Sequence, residues 1–117
     1  MKIPSIGKTE ALILTALLPR ERYGLEIISK VKEISDGRVE PSLGGLYTTL
    51  HRMEEKGLIE GRWGETTTVR QGARRRYYSV SGLGIRALKD TTQLYKAVVN
   101  FNPASAVNFF PAGLGAL

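Results

Sequence analysis

The chain has 117 residues, 42% of them apolar and 24% charged, and 17 Lys and Arg against 11 Asp and Glu give a formal charge of +6. That is globular usage for one small domain, which buries only about two-thirds of its unfolded surface, so dimerisation is a natural route to more core. Cysteine is absent, which excludes disulfides, thiolate metal sites and cysteine nucleophiles, and no uncharged apolar run reaches the roughly 18 residues of a membrane span.

Residues 1–8 read as a loose lead-in without the apolar stretch of a signal peptide, which fits a cytoplasmic protein. Thr9 is the expected N-cap of a first, largely buried helix over Ala11 to Leu18, with Glu10 favourable for its dipole and Pro19 as its stop. A second helix is expected over Arg22 to Ser35, with Tyr23, Ile27, Val31 and Ile34 at helical spacing and Asp36-Gly37 as the following turn.

The third helix, Ser42 to Lys56, has its own start and stop. Ser42 is the N-cap and Gly57 the C-terminal signal. Leu43, Leu46, Leu50 and Met53 fall on one face, flanked by Tyr47 and Glu54, while Gly44, Gly45, Thr48, His51, Arg52 and Glu55 point away. Two early glycines cost roughly 1 kcal/mol each relative to alanine. A backbone that lies close to a partner molecule would account for them.

Ile59 to Glu65 and Arg76 to Val80 read as two strands, in which Ile59 and Trp63 share a face, as do Tyr78 and Val80. Trp63 and Tyr78 are expected to fill the core behind the hairpin. The connecting tip holds Gly72 and, from Thr66 to Arg76, the arginines Arg70, Arg74, Arg75 and Arg76 without a single acid. A positive total alone points only weakly to polyanions; this placement says more.

Ser81 is the expected cap of a last helix running to about Asn100, and Gly82 and Gly84 weaken its first turn. Its apolar stripe of Leu88, Thr92, Tyr95 and Val99, widened by Leu94 and Val98, needs a cover, and a second copy of the chain is the expected one. Pro103 breaks this helix. The remaining tail carries no charge, and its role does not follow from the sequence.

The order is helix, helix, helix, strand, strand, helix: mainly α with a small β-hairpin (α+β), a winged helix-turn-helix over residues 1–80, a dimerisation helix over 81–102 and a tail over 103–117. In such modules the third helix enters the major groove and the wing reaches the DNA backbone or minor groove. On that reading Ser42, Thr48 and the first-turn amides face phosphates. Arg52 faces a phosphate or a guanine edge, and Tyr47 packs its ring while its hydroxyl reaches a phosphate.

Catalysis is not indicated. His51 is the single histidine, with no second His or Cys at metal-ligand spacing, so it reads as a surface residue within reach of DNA. Glu54 and Glu55 point about 100° apart on their helix and share no site. Gly82-Leu83-Gly84 lacks the lysine and sheet context of a phosphate loop. No metal or other cofactor is expected. The rival reading is a winged-helix protein-interaction module that binds DNA only non-specifically.

These segments together resemble the PadR family of bacterial transcription regulators, from about Thr9 to Leu88. The resemblance is carried by Tyr23-Gly24-Leu25-Glu26-Ile27, Leu43-Gly44-Gly45-Leu46-Tyr47-Thr48-Thr49-Leu50 and Arg52-Met53-Glu54-Glu55-Lys56-Gly57-Leu58-Ile59. Gly72-Ala73-Arg74-Arg75-Arg76-Tyr77-Tyr78 and Ser81-Gly82-Leu83-Gly84 complete it. It implies a homodimeric repressor on a palindromic operator, with DNA contacts from Ser42, Tyr47, Thr48, Arg52 and the wing arginines. It also implies dimerisation through the stripe from Leu88 to Val99. Some members release DNA on binding phenolic acids or flat hydrophobic drugs between subunits. A small hydrophobic or aromatic effector is the corresponding expectation here, although the last helix offers Tyr95 and no tryptophan.

Overall fold

A computed structural model describes residues 2–65 and 74–101. The elements are α1 (Lys8–Leu17), β1 (Arg22–Tyr23), α2 (Gly24–Ile34), α3 (Leu43–Glu55), β2 (Ile59–Trp63), β3 (Arg76–Val80) and α4 (Gly82–Asn100). The three strands form one antiparallel sheet in the order β1-β3-β2, with Tyr23 opposite Tyr77, Ile59 opposite Val80 and Trp63 opposite Arg76. Winged helix-turn-helix architecture follows: three helices, a hairpin wing and a long terminal helix. No described helix is long and apolar enough to cross a membrane.

The core collects one face from each helix. Ile13, Leu14 and Leu17 of α1, Ile27 and Val31 of α2, and Leu46, Leu50 and Met53 of α3 meet Leu58, Ile59, Tyr78 and Ala87. Ile3 and Ile6 pack against this cluster, so the lead-in is anchored rather than loose. Apolar positions three and four apart on each helix produce this meeting of faces.

Helix boundaries correct several sequence expectations. Helix α1 begins at Lys8, not after a Thr9 cap. The Gly7 amide donates to the Glu10 carboxylate at 2.9 Å, which satisfies an orphan N–H from within the first turn. Arg22 and Tyr23 are strand, not helix. Arg22 is buried, its Nε donates to the Ala16 carbonyl at 2.7 Å, and its backbone pairs with Tyr78. The Tyr23 amide then donates to Glu26 at 3.2 Å and α2 starts at Gly24.

Helix α3 is bounded as its sequence foretells. Ser42 Oγ accepts from the Gly45 amide at 3.1 Å. At the far end Gly57 takes φ +77°, and the Leu58 amide bonds the Met53 carbonyl at 2.9 Å, a left-handed stop that suits glycine. Leu43 is the exception to the buried stripe: it is 45% exposed, because the first turn extends beyond the core that covers Leu46, Leu50 and Met53. Ile34, at the last position of α2, is exposed for the same reason at the other end of its helix.

Ser81 caps α4 as expected. Its Oγ accepts from Gly84 at 3.0 Å and donates to the Gly57 carbonyl at 2.5 Å. Gly84 weakens the helix but fits a close approach: a Cβ there would run into the Leu58 carbonyl and Val80. Leu88 packs half-buried on the chain's own core, whereas Leu94, Tyr95, Val98, Val99 and Phe101 are all exposed. The 103–117 tail, with Pro103, lies outside the described residues.

Candidate nucleic-acid interface

Ser42, Thr48, His51 and Arg52 are all exposed on α3. The Ser42 hydroxyl is engaged as the helix cap. The hydroxyls of Thr48 and Thr49 donate to the carbonyls of Gly44 and Gly45 at 3.1 and 3.0 Å, which keeps their acceptor lone pairs free. His51 Nε2 lies 3.6 Å from Glu55, one turn along the helix. Nothing approaches within 4 Å of the Cβ position of Gly44, so the backbone is bare at the start of the helix.

Tyr47 is set by α2. Its hydroxyl and ring lie against Gly24, on the space a side chain there would occupy. The ring is thus held while part of it stays exposed. Around it the wing brings its arginines: Tyr23, Leu25, Leu43, Tyr47, Trp63, Arg74, Arg75 and Arg76 line a single open cleft. The structure therefore gathers the first turn of α3, the start of α2 and the base of the wing on one side. On another flank Arg52 and Thr49 line a shallow groove with Lys8, Glu10 and Lys56.

The described arginines are not equivalent. Arg75 stacks on the Tyr23 ring at 4.1 Å, and Tyr23 meets Tyr77 edge-on at 5.8 Å. Arg74 donates from Nε to the Gly64 carbonyl at 2.9 Å. Arg76 pairs with Glu54 of α3 at 3.0 Å, lies over Trp63 and Tyr78, and fills the space beside Gly61. Its charge is matched, and it braces the wing against α3. Arg70 lies outside the described residues.

Trp63 corrects the expectation of a core residue. It is 54% exposed, because β2 runs past the helices at its far end and guanidinium groups, not helix side chains, lie over the ring. Tyr78 is buried as expected, and that burial pushes its phenol pKa up. The sequence reading missed Leu25, which sits in the cleft, and Glu54, which holds Arg76. The signal for Glu54 was its place at the flank of the buried stripe, facing the wing.

A further pair secures the sheet. Arg62 of β2 grips Glu21 through Nε at 2.8 Å and through Nη2, and its guanidinium lies over Tyr77. This hydrogen bonding holds the Glu21 carboxyl below its ordinary pKa. Among the described residues no three His, Asp or Glu side chains come together as a metal site.

Comparison with known proteins gives the same architecture. The model of the transcriptional regulator PadR-like family matches residues 13–90. A PadR-family transcription regulator of Clostridium difficile is 30% identical, over 89% of this chain and 98% of that one, with a TM-score of 0.68. A transcriptional regulator of Clostridium thermocellum is 25% identical, over 87% and 88% of the two chains, also at 0.68. Bacillus subtilis PadR, solved in complex with operator DNA, shares the fold at a TM-score of 0.62 and 23% identity, over 71% of this chain and 44% of that one. With most of its length matched by one family model, the chain belongs to the PadR-like family of transcriptional regulators, which are not enzymes.

Proposed function

We propose that this regulator binds double-stranded DNA in the cytoplasm as a homodimeric repressor on a palindromic operator. Helix α3 enters the major groove and the wing follows the backbone. The observation that carries the reading is the meeting of Leu43 and Tyr47, at the start of α3, with Arg74 and Arg75 in one cleft that no carboxylate among the described residues lines. The operator complex of Bacillus subtilis PadR supports it by likeness of fold. Ser42, Tyr47, Thr48, His51 and Arg52 are the contacts proposed from α3, and Arg70, Arg74, Arg75 and Arg76 those from the wing.

The second half of α4 supports a two-fold partner. Leu94, Tyr95, Val98 and Val99 are apolar and exposed, a patch that the other described residues leave uncovered. Thr92 extends it, and Leu88 joins it only by its outer edge. Between two such faces Tyr95 is the aromatic group offered to a small hydrophobic or aromatic effector.

Selection of bound duplexes from a random pool tests the reading. A palindromic preference with half-sites about 34–36 Å apart is the expected result. Recovery of unrelated sequences, bound alike, would favour a protein-interaction module instead. Sedimentation of Val98→Glu with Val99→Glu tests the dimer: a monomer is expected, and a persistent tight dimer places the interface elsewhere.

A further inference from the structure

The cleft between α2, α3 and the wing encloses about 370 Å³ and combines two chemistries. One wall is apolar yet open to solvent: Leu25 is 61% exposed, and Leu43 and Trp63 are each about half exposed. The other is cationic: Arg75 lies over the Tyr23 ring at 4.1 Å, and Arg74 is tethered to the Gly64 carbonyl. Arg76 has Glu54 as its counter-ion, but among the described residues no carboxylate lines the cleft beside Arg74 and Arg75.

These features select among ligands by their chemistry. A free phosphate has no use for the apolar wall. A base edge needs donors and acceptors, and apart from the tyrosine hydroxyls and the indole N–H that wall offers none. The backbone of a DNA strand matches both, because each anionic phosphate is separated from the next by a deoxyribose that is largely hydrocarbon. The ring contact of Arg75 and the hydrogen bond of Arg74 fix the guanidinium groups in advance, so less side-chain freedom is lost when a phosphate arrives.

We propose that this cleft seats the deoxyribose-phosphate backbone of one DNA strand, with Leu25, Leu43 and Trp63 packed on sugars and Arg75 on the intervening phosphate. The proposal rests on the DNA-binding reading and assigns Leu25, Leu43 and Trp63 a role in it. The apolar contacts add affinity without releasing counterions, and they are blind to base sequence.

Trp63 is the only tryptophan, so its fluorescence reports on the cleft directly. The full chain is titrated with duplexes recovered by the selection and with an unrelated duplex, across a range of salt. Indole emission should change on binding. Trp63→Ala should weaken binding about tenfold and Leu25→Ala about threefold, as expected for the apolar surface lost. Both losses should be equal on the two kinds of duplex and should leave the slope of log K against log salt unchanged. Arg75→Ala should reduce that slope by about 0.9.

Leu25 lies on α2, outside the wing, so its variant reads the cleft even where Trp63→Ala loosens the hairpin. Unaltered affinity in Leu25→Ala with unaltered indole emission in the wild type would overturn the proposal. So would a loss confined to the recovered duplexes, which would indicate base reading. Failure of the wild type to bind any duplex would instead remove the DNA-binding reading itself.

Discussion

The phenolic oxygen of Tyr47 lies where a side chain at residue 24 would begin: a methyl group on Gly24 would sit 2.6 Å from it and 3.0 Å from the ring carbon that bears it. Alanine at 24 must therefore displace the tyrosine or the start of α2. Gly24→Ala should cost about 1–3 kcal/mol, read as a lower melting temperature. In a Tyr47→Ala background the obstacle is gone, and the added cost should vanish. A cost that persists there would locate the conflict away from Tyr47.

Arg76 and Glu54 join the wing to α3 at 3.0 Å, each about a quarter exposed. Partial exposure screens the pair, so a double-mutant cycle on thermal stability should give about 0.5–1 kcal/mol of coupling. Arg76→Ala should lower stability and DNA affinity together. Arg75→Ala should lower affinity while stability changes by no more than about 1 kcal/mol, the worth of its stack on Tyr23. Equal effects of the two substitutions on melting would contradict this division of roles.

Gly44 should show opposite signs in two assays. Beyond its own helix backbone and chain neighbours, nothing lies within 4 Å of its Cβ position, and alanine is favoured over glycine in a helix by about 1 kcal/mol. Gly44→Ala should therefore raise the melting temperature of the free protein. If the DNA backbone approaches there, the same methyl weakens binding. A variant that is more stable and binds as tightly as the wild type would show that the bare turn is not an interface.

Stability should fall at both ends of the pH scale. Hydrogen bonding from Arg62 holds Glu21 below its ordinary pKa, and Lys30 does the same for Glu33. Partial burial works against Glu26, but Arg20 and the Tyr23 amide outweigh it and lower this carboxyl too. Folded values below unfolded ones give stability that is complete above the unfolded value, near pH 4, and is lost as pH falls through the folded values. Tyr78 behaves in the opposite sense. Burial raises its phenol, so its contribution is complete below about pH 10 and is lost as pH rises through the raised value. Melting curves should be flat between these limits, and Tyr78→Phe should soften the alkaline fall.

What the sequence revealed depended on how local the cause was. Ser42, Gly57 and Ser81 act within one turn of where they sit, and the helix ends they set were legible. Strand β1 was not, because Arg22 and Tyr23 fit a helical spacing equally well and become strand only through pairing with Tyr77 and Tyr78, far along the chain. Periodicity gave Leu43 its angle around α3 but not its height along it, which leaves it above the core. Alternation likewise gave Trp63 a face without revealing that this end of the sheet is uncovered. The arginine run pointed to the wing, yet only the fold distinguishes Arg76, with Glu54 beside it, from its neighbours.

Ser81 has a mechanical meaning. One hydroxyl ties the first turn of α4 to the carbonyl of Gly57, the stop of α3. Helix α4 has 19 residues, about 28 Å at 1.5 Å per residue. It is a lever whose fulcrum is that hydroxyl, so a tilt of a few degrees at Ser81 displaces the exposed end by more than an ångström. In the proposed dimer the two levers meet at Val98 and Val99, and their angle fixes how far apart the two copies of α3 are held. The spacing of half-sites that the protein accepts would then be calibrated at a serine at the opposite end of the helix from Val98 and Val99.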